Sequence, residues 1–149
     1  MQLAVVVCLT TTGIILGISM RQDIDLIRNI MVTIEHLQNT IEPLNGKDIY
    51  ENLLNNGQVA ASDDDFHKLL YHVKLLEQDY LIEGNTDHIH AGFFMVNSIT
   101  PSGHRFLDAV TEKPFFQKVK DYLQQNSLPI TIASIQTAAG AIIANIGKI

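Results

Sequence analysis

The side chains with the clearest capacity for chemistry in this 149-residue chain are histidines and carboxylates. Asp87, His88 and His90 form a compact set. On a strand, alternate residues point the same way, which would aim both imidazoles at one ion, and imidazole is a good transition-metal ligand. A stable site needs a third fixed ligand, for which His67 or His104 would have to come near, so the expected role of the set is a polar turn. His67 and His72 are five positions apart, whereas i, i+4 spacing is what puts two ligands on one helix face. Asp63, Asp64 and Asp65 have the donors for a cation, but carboxylates in a first helical turn are sufficiently explained by the unpaired N–H groups and the positive end of the helix dipole. Cys8 lies in an apolar run with no basic residue or histidine to lower its pKa, and a single cysteine forms no internal disulfide. Gly13 and Gly17 lack the lysine and the strand-to-helix context of a phosphate loop. No metal, no cofactor and no enzymatic activity are expected. What remains is binding: Lys68, Tyr71, His72 and Lys74 are residue types that reach phosphates and base edges, and they are the expected DNA-contacting set.

The element that must carry those four residues is a helix. Phe66, Leu69, Leu70, Val73 and Leu76 recur at three- and four-residue spacing, which commits one face to a core and leaves His67, Lys68, Tyr71, His72, Lys74 and Gln78 toward the other. Ser62 is the expected N-cap. After this helix, residues 80–82 read as a short strand, residues 84–92 as a polar link and residues 93–99 as a second strand rich in aromatic and β-branched residues. Before it, Ile24, Ile27, Ile30, Met31, Ile34 and Leu37 form the stripe of a helix over 21–38. Pro43 and Gly46 turn the chain into a short helix over 47–55, closed by Asn56 and Gly57. Helix, helix, helix, strand, wing, strand is the order of a winged helix-turn-helix, with the third helix as the recognition element. Thr100 and Pro101 start a further helix, Pro114 breaks it, and another runs over 115–125. Beyond Pro129 the residues Ile132, Ile135, Ala139, Ile142 and Ile146 fall on one stripe among small residues, as in a packing or dimerisation helix. The expected class is mainly α (α+β): a winged helix-turn-helix with a two-stranded β-wing and additional C-terminal helices. Its expected divisions are 1–19, an apolar N-terminal segment; 20–111, the winged-helix domain; and 112–149, a helical extension packing on that domain or forming a dimer interface.

Composition limits the partners. The chain is 46% hydrophobic and carries a formal net charge of −6, ten Lys and Arg against sixteen Asp and Glu, the wrong sign for affinity drawn mainly from neutralising phosphates. Residues 1–19 carry no charge. Their length just allows a transmembrane helix, although three consecutive threonines and two glycines weaken it. A signal peptide would need basic residues ahead of the apolar run and a small-residue cleavage site after it, and neither is clear. An extension upstream of a natural start at Met20, or an extra core element, are the other readings. Arg21 would leave the folded domain of a tethered form on the cytoplasmic side, so the expected location is cytoplasmic, with a membrane contact only if residues 1–19 act as an anchor.

Three motifs carry a resemblance. The first comprises Arg21, Asp23, Asp25, Leu26, Ile27 and Arg28. The second runs through Tyr71, His72, Val73, Lys74, Leu75 and Leu76 to Leu81, Ile82, Glu83 and Gly84. The third comprises Ile99, Thr100, Gly103, His104, Phe106, Leu107 and Asp108. Together they resemble the bacterial and phage hypothetical proteins grouped as the domain of unknown function number 2513, from about residue 20 to 110. Residues 1–19 lie outside the resemblance. The chain also departs from the pattern in having no tryptophan after Pro114, where Phe115 and Phe116 stand. The resemblance implies a fold and a phage or mobile-element context, and it implies no activity.

Two functions compete. A DNA-binding transcriptional regulator follows from the fold and requires Lys68, Lys74 and Arg105 to converge on one positive face, with double-stranded DNA as partner. Against it stand the triple aspartate at the start of the recognition helix and a wing without Lys or Arg. The alternative is a non-catalytic protein-interaction or dimerisation module, its partner an unidentified host or phage protein or a second copy held through the C-terminal helices.

Overall fold

The computed structural model describes residues 21–38 and 41–146. The described residues form six helices, α1 (Ile24–Leu37), α2 (Gly46–Asn55), α3 (Asp63–Gln78), α4 (Pro101–Val110), α5 (Lys113–Gln125) and α6 (Ile132–Ile146), and a small sheet of β1 (Leu44–Asn45), β2 (Ile82–Asn85) and β3 (Met95–Ile99). The protein is therefore mainly helical with a three-stranded antiparallel sheet in the order β1-β3-β2. The residues proposed for an N-terminal anchor or extension lie outside the described ones.

Local chemistry explains most boundaries. Asp23 caps α1 by accepting from the Leu26 N–H, Ser62 caps α3 by accepting from the Asp65 N–H, and Thr100 caps α4 by accepting from the Gly103 N–H with Pro101 in the first turn. Three helices end in Schellman caps, whose left-handed residue is Gly57 after α2, Tyr80 after α3 and Ser127 after α5. Pro114 opens the first turn of α5, while α4 has already ended at Val110.

The sheet differs from the expected two-stranded wing in three ways. β1 was not anticipated, because two residues show no periodicity; it pairs with β3 through Leu44 opposite Val96. Tyr80 and Leu81 close α3 instead of opening a strand, with the Leu81 N–H bonded to the Leu76 carbonyl, so β2 begins at Ile82 and contains a register shift at Glu83/Gly84. Ile89–Ala91 is a 3-10 turn, so His88 and His90 do not have the strand alternation that would aim them together.

One apolar cluster spans all six helices. Ile27, Ile30, Met31 and Ile34 of α1 meet Leu69, Val73 and Leu76 of α3, Phe106 and Val110 of α4, Phe116 and Val119 of α5, and Ile132 and Ile135 of α6, all buried. Each such side chain supplies about 1.5–3 kcal/mol of transfer free energy. Gly103 sets how closely α4 approaches the sheet: a Cβ there would collide with the Leu81 carbonyl and the Ile99 side chain. Among the described residues no helix is long and apolar enough to cross a membrane.

Candidate functional site

The four residues expected to contact DNA all stand on α3, and the structure gives them different fates. His72 is a correction to the sequence reading: it is fully buried and cannot reach a ligand. Helical geometry gives the reason, since position 72 lies one turn before Leu76 and one turn after Leu69, at the edge of the arc that faces the core. Its Nδ1 donates to the Lys68 carbonyl at 2.7 Å, and its Nε2 accepts from the Asp23 N–H at 2.8 Å. Both ring nitrogens are thereby engaged in the neutral form. Burial pushes the His72 pKa below its ordinary value, against the opposing effect of the Lys68 carbonyl.

Lys68 reaches back to the start of α1, where its Nζ lies 2.9 Å from Asp23 Oδ2, both side chains about one-third exposed. Burial alone would raise the Asp23 pKa, but the Lys68 ammonium and the Leu26 N–H hold this carboxyl below its ordinary value. Lys74 turns the other way. Its Nζ is 3.2 Å from Glu77 Oε1 and 2.9 Å from Thr86 Oγ1, and the buried Thr86 hydroxyl in turn donates to Glu77 at 2.5 Å. Six residues apart at 100° per residue, the two lysines diverge by about 120° around α3. Arg105, the third cation of the expected positive face, lies on α4 in a groove against α6. Each of the three cations faces a different neighbour. Tyr71, between the lysines, remains partly exposed.

The surrounding surface adds carboxylates rather than cations. Asp63 and Asp64 are exposed at the start of α3, and from Ile82 to Ile99 the charged residues are Glu83 and Asp87, with no Lys or Arg. Across α2 and α3, Lys47, Lys68 and Lys74 are outnumbered by Asp48, Glu51, Asp63, Asp64, Asp65 and Glu77. Among the described residues no group of three or more His, Cys, Asp or Glu is arranged to hold a metal ion.

Two exposed aromatics were missed by the sequence reading, which placed both in strands. Tyr80 is 78% exposed with φ 59°, and Phe93 is 71% exposed between two small clefts. A signal existed for the second: neighbouring residues on a strand point to opposite faces, so Phe93 and Phe94 cannot both be buried in a one-sided sheet. Tyr80 gave none, because a Schellman cap normally declares itself by glycine.

Comparison with known proteins adds one positive finding. The family described as Hypothetical protein (DUF2513) matches residues 21–129, from the N-terminal side of α1 to beyond the end of α5. No curated protein and no solved structure gives a significant match.

Proposed function

We propose, for a chain that belongs to the DUF2513 family of hypothetical proteins, the role of a non-catalytic protein-interaction module built on a winged-helix arrangement. The winged-helix reading is supported by the order α1, β1, α2, α3, β2, β3 and by β3 lying between β1 and β2. The observation that carries the interaction reading is the commitment of both α3 lysines to intramolecular carboxylates. A groove-reading helix must offer its cations to phosphates, because that term supplies nearly all sequence-independent affinity for DNA. Here a phosphate would have to displace Asp23 or Glu77 while approaching Asp63 and Asp64. The exposed Tyr71, Tyr80 and Phe93 are instead of residue types enriched at protein contacts. A host or phage protein, or a second copy, is the corresponding partner.

A DNA-binding transcriptional regulator is the second reading, favoured by the same element order, and it would need basic residues from a partner copy to complete a positive face. Titrating the full chain against random-sequence duplex DNA at about 50 mM and about 200 mM salt separates the two. The interaction module gives no measurable binding at either salt. Binding that falls steeply with salt and is lost in a Lys68→Gln, Lys74→Gln variant would overturn it.

A further inference from the structure

The groove between α4 and α6, about 460 Å³ in volume, is lined by the buried Ala109 and Ala139 and by the exposed Gly140. Ile143 stands on its α6 side, 59% exposed, while Arg105 and Asp108 stand on its α4 side. Three features leave this groove open to a partner. Gly140 lies inside a helix, where glycine is less favourable than alanine, yet a Cβ at this position would meet nothing within 4 Å. Among the described residues, Arg105 bonds only to the Ser102 hydroxyl, at 2.8 Å, and Asp108 has no hydrogen-bond or ion-pair partner. Ile143 exposes a large apolar side chain on a helix that contains no Asp, Glu, Lys or Arg.

We infer that this groove is a two-fold interface with a second copy of the chain. The reasoning is one of self-complementarity. In a two-fold contact, whatever residue i meets on residue j, residue j meets on residue i. Such a surface must therefore carry both halves of every pair, and this one does so twice. On α6 the protruding Ile143 and the open Gly140 are three residues apart, one helical turn; on α4 the cation Arg105 and the anion Asp108 are also three residues apart. When the copies meet antiparallel, each Ile143 seats over the other's Gly140, and each Arg105 faces the other's Asp108. In a chain of net charge −6, the uncharged α6 with a balanced α4 rim is a face on which identical copies can approach without like-charge repulsion. The inference rests on the interaction reading only in taking contact between proteins as the task, and its test reads self-association rather than DNA binding, so the two fail separately.

Sedimentation of the full chain across a wide concentration range provides that test. A concentration-dependent monomer–dimer equilibrium is expected. Arg105→Asp or Asp108→Arg alone places like charges opposite each other and weakens the dimer by about tenfold or more, whereas the double swap restores the pairs and recovers most of the loss. Gly140→Arg fills the open site and abolishes the dimer; Gly140→Ala raises the unfolding temperature of the monomer while weakening association. A chain that stays monomeric at every concentration, which would leave the groove to another protein, overturns the inference. So does a dimer indifferent to the single swaps, or one that the double swap fails to rescue. Association driven by residues 1–19 falls in the indifferent class and is identified by it.

Discussion

Replacing His72 should make the protein less stable at neutral pH and less sensitive to mild acid. The ring is fully buried, accepts from the Asp23 N–H at 2.8 Å and donates to the Lys68 carbonyl at 2.7 Å. In His72→Leu, a swap that conserves apolar bulk, the Lys68 carbonyl keeps its helical acceptor role, but the Asp23 N–H loses its partner. Leaving a buried donor unmade costs about 1–3 kcal/mol, and the part-buried position of this one points to the lower half of that range. His72→Gln, whose side-chain oxygen can approach the Nε2 position, should recover part of the loss. The pH dependence follows from the same geometry. Burial disfavours the charged ring and sets its pKa below the ordinary value of 6.5, and protonating Nε2 would in addition turn an acceptor into a donor facing an N–H, so the folded state holds the ring neutral. Below pH 6.5 the unfolded chain takes up a proton that the folded chain refuses. Unfolding free energy therefore falls as pH drops from 6.5 toward the lowered folded-state pKa, with a contribution of up to about 1.4 kcal/mol per pH unit, and is unaffected by this group above that window. Urea unfolding of wild type and both variants at several pH values between 5 and 7.5 measures the difference. If His72→Leu and wild type show the same slope below pH 6.5, the neutral, doubly bonded ring is wrong.

Two further substitutions probe the frame around this site. The Arg28 side chain donates from Nε to the Val110 carbonyl at 2.6 Å and from a terminal nitrogen to the Thr111 carbonyl at 2.8 Å, so it holds the end of α4 against α1. Arg28→Ala should cost about 1.5–3 kcal/mol in urea unfolding, and Arg28→Lys, which cannot span both carbonyls, should recover less than half of it. Tyr80→Gly should raise the unfolding temperature, since glycine relieves a left-handed backbone at a cost of only an exposed ring; the gain expected is about 1 kcal/mol, and a loss would mean the ring makes contacts that its 78% exposure does not suggest.

What the sequence disclosed about the fold was whatever is encoded locally. Ser62 and Thr100 with Pro101 announced helix starts because capping is a contact over three residues, and the apolar stripes of α1, α3 and α6 announced buried faces because helical spacing repeats along the chain. β1 was invisible because two residues carry no period, and its evidence is a pairing with β3 about fifty residues away. The site was harder to see for the same reason. Lys68 looks like a free cation in the sequence. Its neutralisation depends on Asp23, 45 positions away, whereas Lys74 pairs with Glu77 one turn along the same helix and gains only the neutral Thr86 hydroxyl from folding. The acidic balance of the α2–α3 region was legible, and it already opposed the groove-docking reading that the order of elements suggested.

The motifs that link this chain to its family are, for the most part, the joints of the fold. Asp23 caps α1, pairs with Lys68 and offers its N–H to His72, so the first motif and the second meet at one point. Arg28 ties the first motif to the end of α4. Leu76, Leu81 and Ile82 are buried, and Gly103 lets the third motif press against the Leu81 carbonyl. These contacts account for why such residues occur together without implying any activity: they specify an architecture. The exceptions on α4 are His104 and Asp108, both exposed, neither needed by the core and four residues apart on one face. Asp108 borders the α4–α6 groove and has no partner among the described residues. If the fold accounts for the rest of the third motif, the remaining task of α4 lies on that outward face, where a second copy of the chain would supply the cation that Asp108 lacks.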